Sequence, residues 1–216
     1  MSGRNIATWT ATSNNIAAVH THAIRTYENA AAVRSEIRII FTEQGLADLE
    51  AAQPKANAAL VELKQASRPS SPEEAAIHIG YMITAFDNFG DINVRTDRML
   101  DFVLRAEPAI GDLILACNNL ITTMDKTPSI HQVMSAIAEA KQSREDLIVR
   151  FTHAIELPPY AAAIVAAKGD FERESQAWKA LKETPHYGAY TAAQNRNDER
   201  RQATLRAING RPDRAW

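Results

Sequence analysis

PAIGDLILACNNLITTMDKTPSIHQVM, residues 108–134, is the stretch on which the fold class turns. Leu113, Cys117, Leu120 and Met124 recur at steps of four, three and four, the period of one buried helical stripe. Pro108 and Pro128 each stand where a helix begins, because proline is tolerated in a first turn and not in a helix interior. Nothing in the stretch alternates apolar and polar residue by residue, as a half-buried strand would.

Downstream of Pro128, a long helix is expected with Ile130, Met134, Ile137, Leu147, Ile148, Phe151 and Ile155 on one stripe. Lys141 and Arg144 interrupt it, so the middle of the stripe is expected to leave the core. Pro158-Pro159 ends this helix. One further helix is expected to carry Tyr160, Ile164, Phe171, Trp178 and Leu181 and to close at Pro185.

Upstream, Met99, Leu100, Val103 and Leu104 mark a short helix. Another, carrying Ile79, Tyr81, Met82, Ile83 and Phe86, ends near a turn at 88–93. Ala66-Ser67-Arg68-Pro69-Ser70-Ser71-Pro72 cannot sustain a helix and reads as a linker, with Ser71 placed to cap the helix that follows. Before it, Ile16, Val19, Ala23 and Tyr27 mark one helical face, and Val33, Ile37, Ile40 and Phe41 a second. Leu46, Leu49, Leu60 and Leu63 continue the pattern, with Pro54 expected to end or kink a helix among them. The resulting expectation is an all-α, orthogonal or bundle-like arrangement: an N-terminal helical region 1–66, a linker 67–72, a main helical domain 73–194 and a basic tail 195–216.

Composition narrows function mainly by exclusion. With 45% hydrophobic and 23% charged residues the 216-residue chain can bury a core. Its net charge of −2 supplies no global attraction to nucleic acid or acidic membranes. The eight glycines do not cluster, so neither a phosphate-binding loop nor a dinucleotide motif is present. Cys117 is the single cysteine and sits in an apolar helical pattern, as a buried thiol does. His20 and His22 point about 200° apart on a helix and read as surface histidines rather than metal ligands. Asp87 and Asp125 read as helix-end residues. Neither a catalytic site nor a cofactor or metal site is expected. Met1–Thr12 lacks the apolar stretch of a secretory signal and no run is long enough to span a bilayer, so a cytoplasmic location without membrane contact is expected.

Local charge is concentrated at the end of the chain. From Asn195 to Trp216 there are six arginines (Arg196, Arg200, Arg201, Arg206, Arg211, Arg214) against Asp198, Glu199 and Asp213, a net +3. Arg196, Arg200, Arg201 and Arg206 are candidate phosphate contacts to single-stranded DNA; the alternative is a solvated helix face, since acids stand among them. Trp178 reads as core, with Tyr187 and Tyr190 packing the Pro185 turn.

Arg98-Met99-Leu100-Asp101-Phe102-Val103-Leu104, then Leu115-Ala116-Cys117-Asn118-Asn119-Leu120-Ile121, then Lys126-Thr127-Pro128-Ser129-Ile130-His131-Gln132-Val133-Met134 form a constellation of their own. It resembles the helical region of phage and prophage replication proteins of the lambda P and loader/inhibitor type. His131-Gln132-Val133 lacks the acid usual there, and Thr127 stands where an aromatic is common. Gln176–Leu181 and Pro185–Tyr190 resemble the Trp/Tyr-rich tails of such proteins. The resemblance implies a protein without ATPase chemistry that grips a ring-shaped replicative helicase and loads or inhibits it. On that reading Lys141 and Arg144 are candidate partner contacts and the basic tail a candidate DNA contact. A helical adaptor or self-assembling structural protein, with the 130–155 stripe buried against a second copy, is the alternative.

Overall fold

The computed structural model describes residues 7–86 and 92–209; at 7–17, 92, 93, 204 and 207–209 it describes the backbone alone. Nine helices occur among the described residues: α1 (Ala7–Glu36), α2 (Glu43–Ala66), α3 (Pro72–Thr84), α4 (Ile92–Arg105), α5 (Ile110–Thr123), α6 (Ile130–Glu156), α7 (Pro158–Ala166), α8 (Phe171–Lys182) and α9 (Pro185–Asn209). The all-α expectation holds. The side chain of Ile16, Asp87 with the 88–91 part of the expected turn, and Arg211 and Arg214 lie outside the described residues. No described helix is long and apolar enough to cross a membrane.

The chain forms two compact units, Met1–Val33 with Ala58–Glu145 and Arg34–Asn57 with Asp146–Trp216. Residues 67–72 therefore fall inside the first unit, and the expected tail boundary at 195 falls inside α9. Chain punctuation marks where helices stop, and α1, α2 and α6 each contribute residues to both units.

In the first unit α3 packs on α4 and α5. Their stripes interlock: Ala75, Ile79, Met82 and Ile83 from α3, Met99 and Val103 from α4, Leu113, Ala116, Cys117 and Leu120 from α5, and Val133, Ile137 and Ala140 from α6. Each large apolar side chain so buried contributes about 1.5–3 kcal/mol. Full burial pushes the Cys117 thiol up to about 12, so it stays protonated and behaves as a small hydrophobe. Helix starts are chemically specified. Ser71 accepts from the Glu74 amide while the Glu74 carboxylate accepts from the Ser71 amide. Ser129 and Gln132 repeat that reciprocal cap at the start of α6. The 67–72 segment is not free: Ser70 N–H donates to the Pro108 carbonyl at 3.0 Å and Ile110 N–H to the Arg68 carbonyl at 2.9 Å. Arg68 also forks onto Glu74, and that hydrogen bonding holds the Glu74 carboxyl at about 2.

The expected exposure of Arg144 is overturned. Val133, Ile137, Ala140 and Arg144 follow one another at steps of four, three and four, so the helical period carries the guanidinium into the core, where it is 8% exposed. Asp112, 1% exposed in the first turn of α5, accepts from Arg144 Nε at 2.8 Å and Nη2 at 2.9 Å. Tyr27 Oη donates to the same carboxylate at 2.9 Å. Arg144 Nη1 donates to Ser67 Oγ at 2.6 Å, and Ser67 Oγ donates to the Leu63 carbonyl at 2.7 Å. Residues of α1, α2, α5 and α6, with Ser67 of the following loop, are thereby joined through one ion pair. Gly111 makes room beside it: a Cβ there would stand 2.8 Å from Ala66 Cβ and 3.0 Å from Tyr27 Oη.

Three helix expectations in the second unit change as well. Ile37–Phe41 is not helical; Ile37, Ile39 and Ile40 are β-branched and disfavour a helix. Thr42 accepts from the Gly45 amide and starts α2. Pro54 lies inside α2 without ending it, flanked by alanines that favour the helix. The single helix expected over 160–181 is two, because Gly169 adopts φ +93° and Asp170 caps α8. α8 packs against α7 and α9, and Trp178, expected in the core, is half-buried with its ring 4.5 Å from Phe41.

Replacing Asp112 by Asn leaves Arg144 charged and uncompensated, and should lower unfolding stability by about 3–5 kcal/mol. Urea denaturation at neutral pH reads this. The double variant Asp112→Leu/Arg144→Met, which removes both charges, should recover most of the loss.

Candidate partner-docking groove

A groove of about 620 Å³ opens in the first unit where α3 ends, α4 passes and α5 turns into α6. Ile83 and Phe86 line it from α3 and the residues just beyond. Arg95, Arg98 and Met99 line it from α4, and their i, i+3, i+4 spacing places them on one helix face. Ile121 and Met124 come from the end of α5, and Asp125, Lys126, Thr127, Pro128 and Ser129 form the lip before Ile130. Pro128 cannot continue α5, and the Ser129–Gln132 cap opens α6 directly after it, so the lip is short and defined at both ends. Ile83, Phe86, Met99 and Pro128 are buried, Ile121, Met124 and Ile130 half-buried, and Arg95, Arg98, Asp125 and Lys126 exposed. The arrangement is an apolar floor beneath three cations and one acid. Such a surface binds; it presents no nucleophile paired with a base.

The residues singled out from sequence are not brought together. Lys141 is exposed on α6, while Arg144 is consumed by Asp112 and is no surface contact. Arg196 Nη2 lies 2.7 Å and Arg200 Nη1 3.8 Å from the carboxylate of Asp146, which is 7% exposed. Two arginines of the basic stretch thus neutralise a buried acid, and only Arg201 and Arg206 remain as exposed cations without a printed role in packing. They sit on α9, which continues as helix to Asn209.

His20 is also misread by the surface expectation; His22 is exposed as expected. His20 Nε2 and His78 Nδ1 stand 2.6 Å apart, both rings buried, with the Tyr81 ring 4.8 Å from His20. One nitrogen must donate and the other accept, so the pair is satisfied only while at least one ring is neutral. Burial lowers both; with the His20 charge opposing and Glu74 favouring its protonation, His78 falls to about 4. In the second unit, burial, then the charges of His186 and Arg150, lower His153 to about 4. Its ring stacks on Tyr190 at 4.2 Å, and neighbouring His186 Nδ1 lies 2.7 Å from Glu156 Oε2. Among the described residues no group of three or more His, Cys, Asp or Glu side chains is placed to hold a metal ion.

With this geometry in hand, the chain was compared with protein-family models, curated proteins and solved structures. None matches. What the groove does must be argued from its own chemistry.

The lowered histidines carry a sign. Their neutral forms are favoured by folding, so their stability contribution is complete above 6.5, the ordinary histidine value, and is lost as pH falls toward about 4. The urea midpoint should drop across that window. A His20→Leu/His78→Leu variant should show a shallower drop, keeping the share due to His153; an unchanged slope would remove the pair from the account.

Proposed function

We propose that this chain is a non-enzymatic DNA-replication accessory that grips a replicative helicase through the groove of its first unit and so loads or inhibits it. The observation that carries the reading is where the resemblance falls in the fold. Of residues 98–134, Arg98 and Met99 form part of one wall, Ile121 and Met124 part of the floor, and Asp125–Ile130 the lip. The segment that resembles helicase loaders is the segment that builds the docking surface. Loading needs no bond chemistry. A protein that binds the open ring more tightly than the closed one shifts the ring toward opening by that difference alone. Arg201 and Arg206 on α9 are the cations left to meet single-stranded DNA on this reading, with Arg196 and Arg200 engaged at Asp146.

The test is size exclusion with light scattering on the chain mixed with replicative helicase. Co-elution at a fixed stoichiometry is expected. Separate elution contradicts the reading, and a concentration-dependent mass for the chain alone would favour the alternative, a self-assembling helical protein.

A further inference from the structure

Building on the reading of this groove as a partner site, we infer that its occupant is an acidic amphipathic helix of the partner protein. Charge makes the first argument. Arg95, Arg98 and Lys126 surround the opening and Asp125 is the only acid among the lining residues, so the rim carries a net positive charge. The floor makes the second. Ile121, Met124 and Ile130 are half-buried and line the same space. A nucleic-acid backbone would meet the cations but leave that floor uncovered, whereas an acidic helix with an apolar stripe satisfies both.

Backbone geometry makes the third argument. Among the described residues the one β-type pairing is the isolated bridge between Pro69 and Ala109. An extended peptide therefore finds no sheet edge to join, and a helix, whose backbone is already satisfied, is the occupant that needs none. Apolar anchors at i, i+3 or i+4, and i+7 would reach the floor, with carboxylates flanking them at the level of Arg98 and Lys126. Steering by these charges would make association fast and salt-sensitive.

Selection from a random peptide library on the immobilised full-length chain tests this without any assumption about the helicase. Enriched sequences should be net acidic, with apolar residues at helical spacing. Their affinity should fall at least about tenfold for Arg98→Glu/Lys126→Glu, with far-UV circular dichroism checking that the variant keeps its helices. Arg98→Gln/Lys126→Gln replaces it should charge reversal unfold the chain. Enrichment of basic or neutral sequences, no enrichment, or affinity unchanged in the folded variant overturns the inference. The two readings fail separately. Acidic helices selected while helicase elutes alone would sink the helicase and keep the groove; a helicase complex indifferent to both variants would do the reverse.

Discussion

The first unit depends on one buried ion pair, Arg144 with Asp112. The guanidinium lies on the stripe that Val133, Ile137 and Ala140 bury, so the helical period itself drives a permanent charge out of water. That is tolerable only because a carboxylate meets it in fork geometry and Tyr27 and Ser67 satisfy further positions. Asp112 gains as well from lying in the first turn of α5, near the positive end of the helix. Hydrogen bonding to Asp112 raises the Arg144 guanidinium further above its ordinary range, and burial with the adjacent carboxylate raises the Tyr27 phenol well beyond its own. The network holds fixed charge states at every pH the protein meets in a cell.

An ion pair of this kind contributes less to net stability than an apolar replacement would, and more to register. It accepts one alignment of α5 on α6, since both guanidinium nitrogens must find both carboxylate oxygens. The groove lies at the far ends of these same helices, with Ile121 and Met124 twelve or fewer residues beyond Asp112, and Ile130 at the start of α6. Its floor is made of helix-end side chains and its lip of a six-residue turn, 124–129. Alignment at the ion pair and the reciprocal Ser129–Gln132 cap therefore set where that floor and lip stand. Function by docking asks for such a surface, preformed and held by packing, rather than for reactive groups.

Much of this was legible in the residues. The four-three-four spacing of Leu113, Cys117, Leu120 and Met124, the caps at Ser71 and Pro72, and the breaks at Pro128 and Pro158-Pro159 all appear in the structure as read. What was illegible has a common cause. Arg144 looked like an interruption because its counter-ion is 32 residues away in sequence, and no local pattern pairs Asp112 with it. His20 looked like a surface residue because His78, its partner, is 58 residues distant. Gly169 followed by Asp170 did carry a local stop-and-start signal, a left-handed glycine before an N-cap. The groove was half legible: its lip and α5 floor lie in the stretch singled out by resemblance, while Arg95 joins them only through the packing of α4 on α3. Lys141, chosen by the same logic as Arg144, is indeed exposed, but nothing gathers beside it.

The account's central claim is that Arg144 is a buried, fully engaged hub. The most direct measurement is the side-chain spectrum of nitrogen-15 arginine at neutral pH, with Arg144 assigned by substitution. A Nε–H resonance protected from solvent exchange for Arg144, against rapid exchange for exposed Arg98, is the predicted result. Exchange of Arg144 as fast as that of Arg98 would mean that the guanidinium reaches water, and the hub on which the first unit is built would not exist.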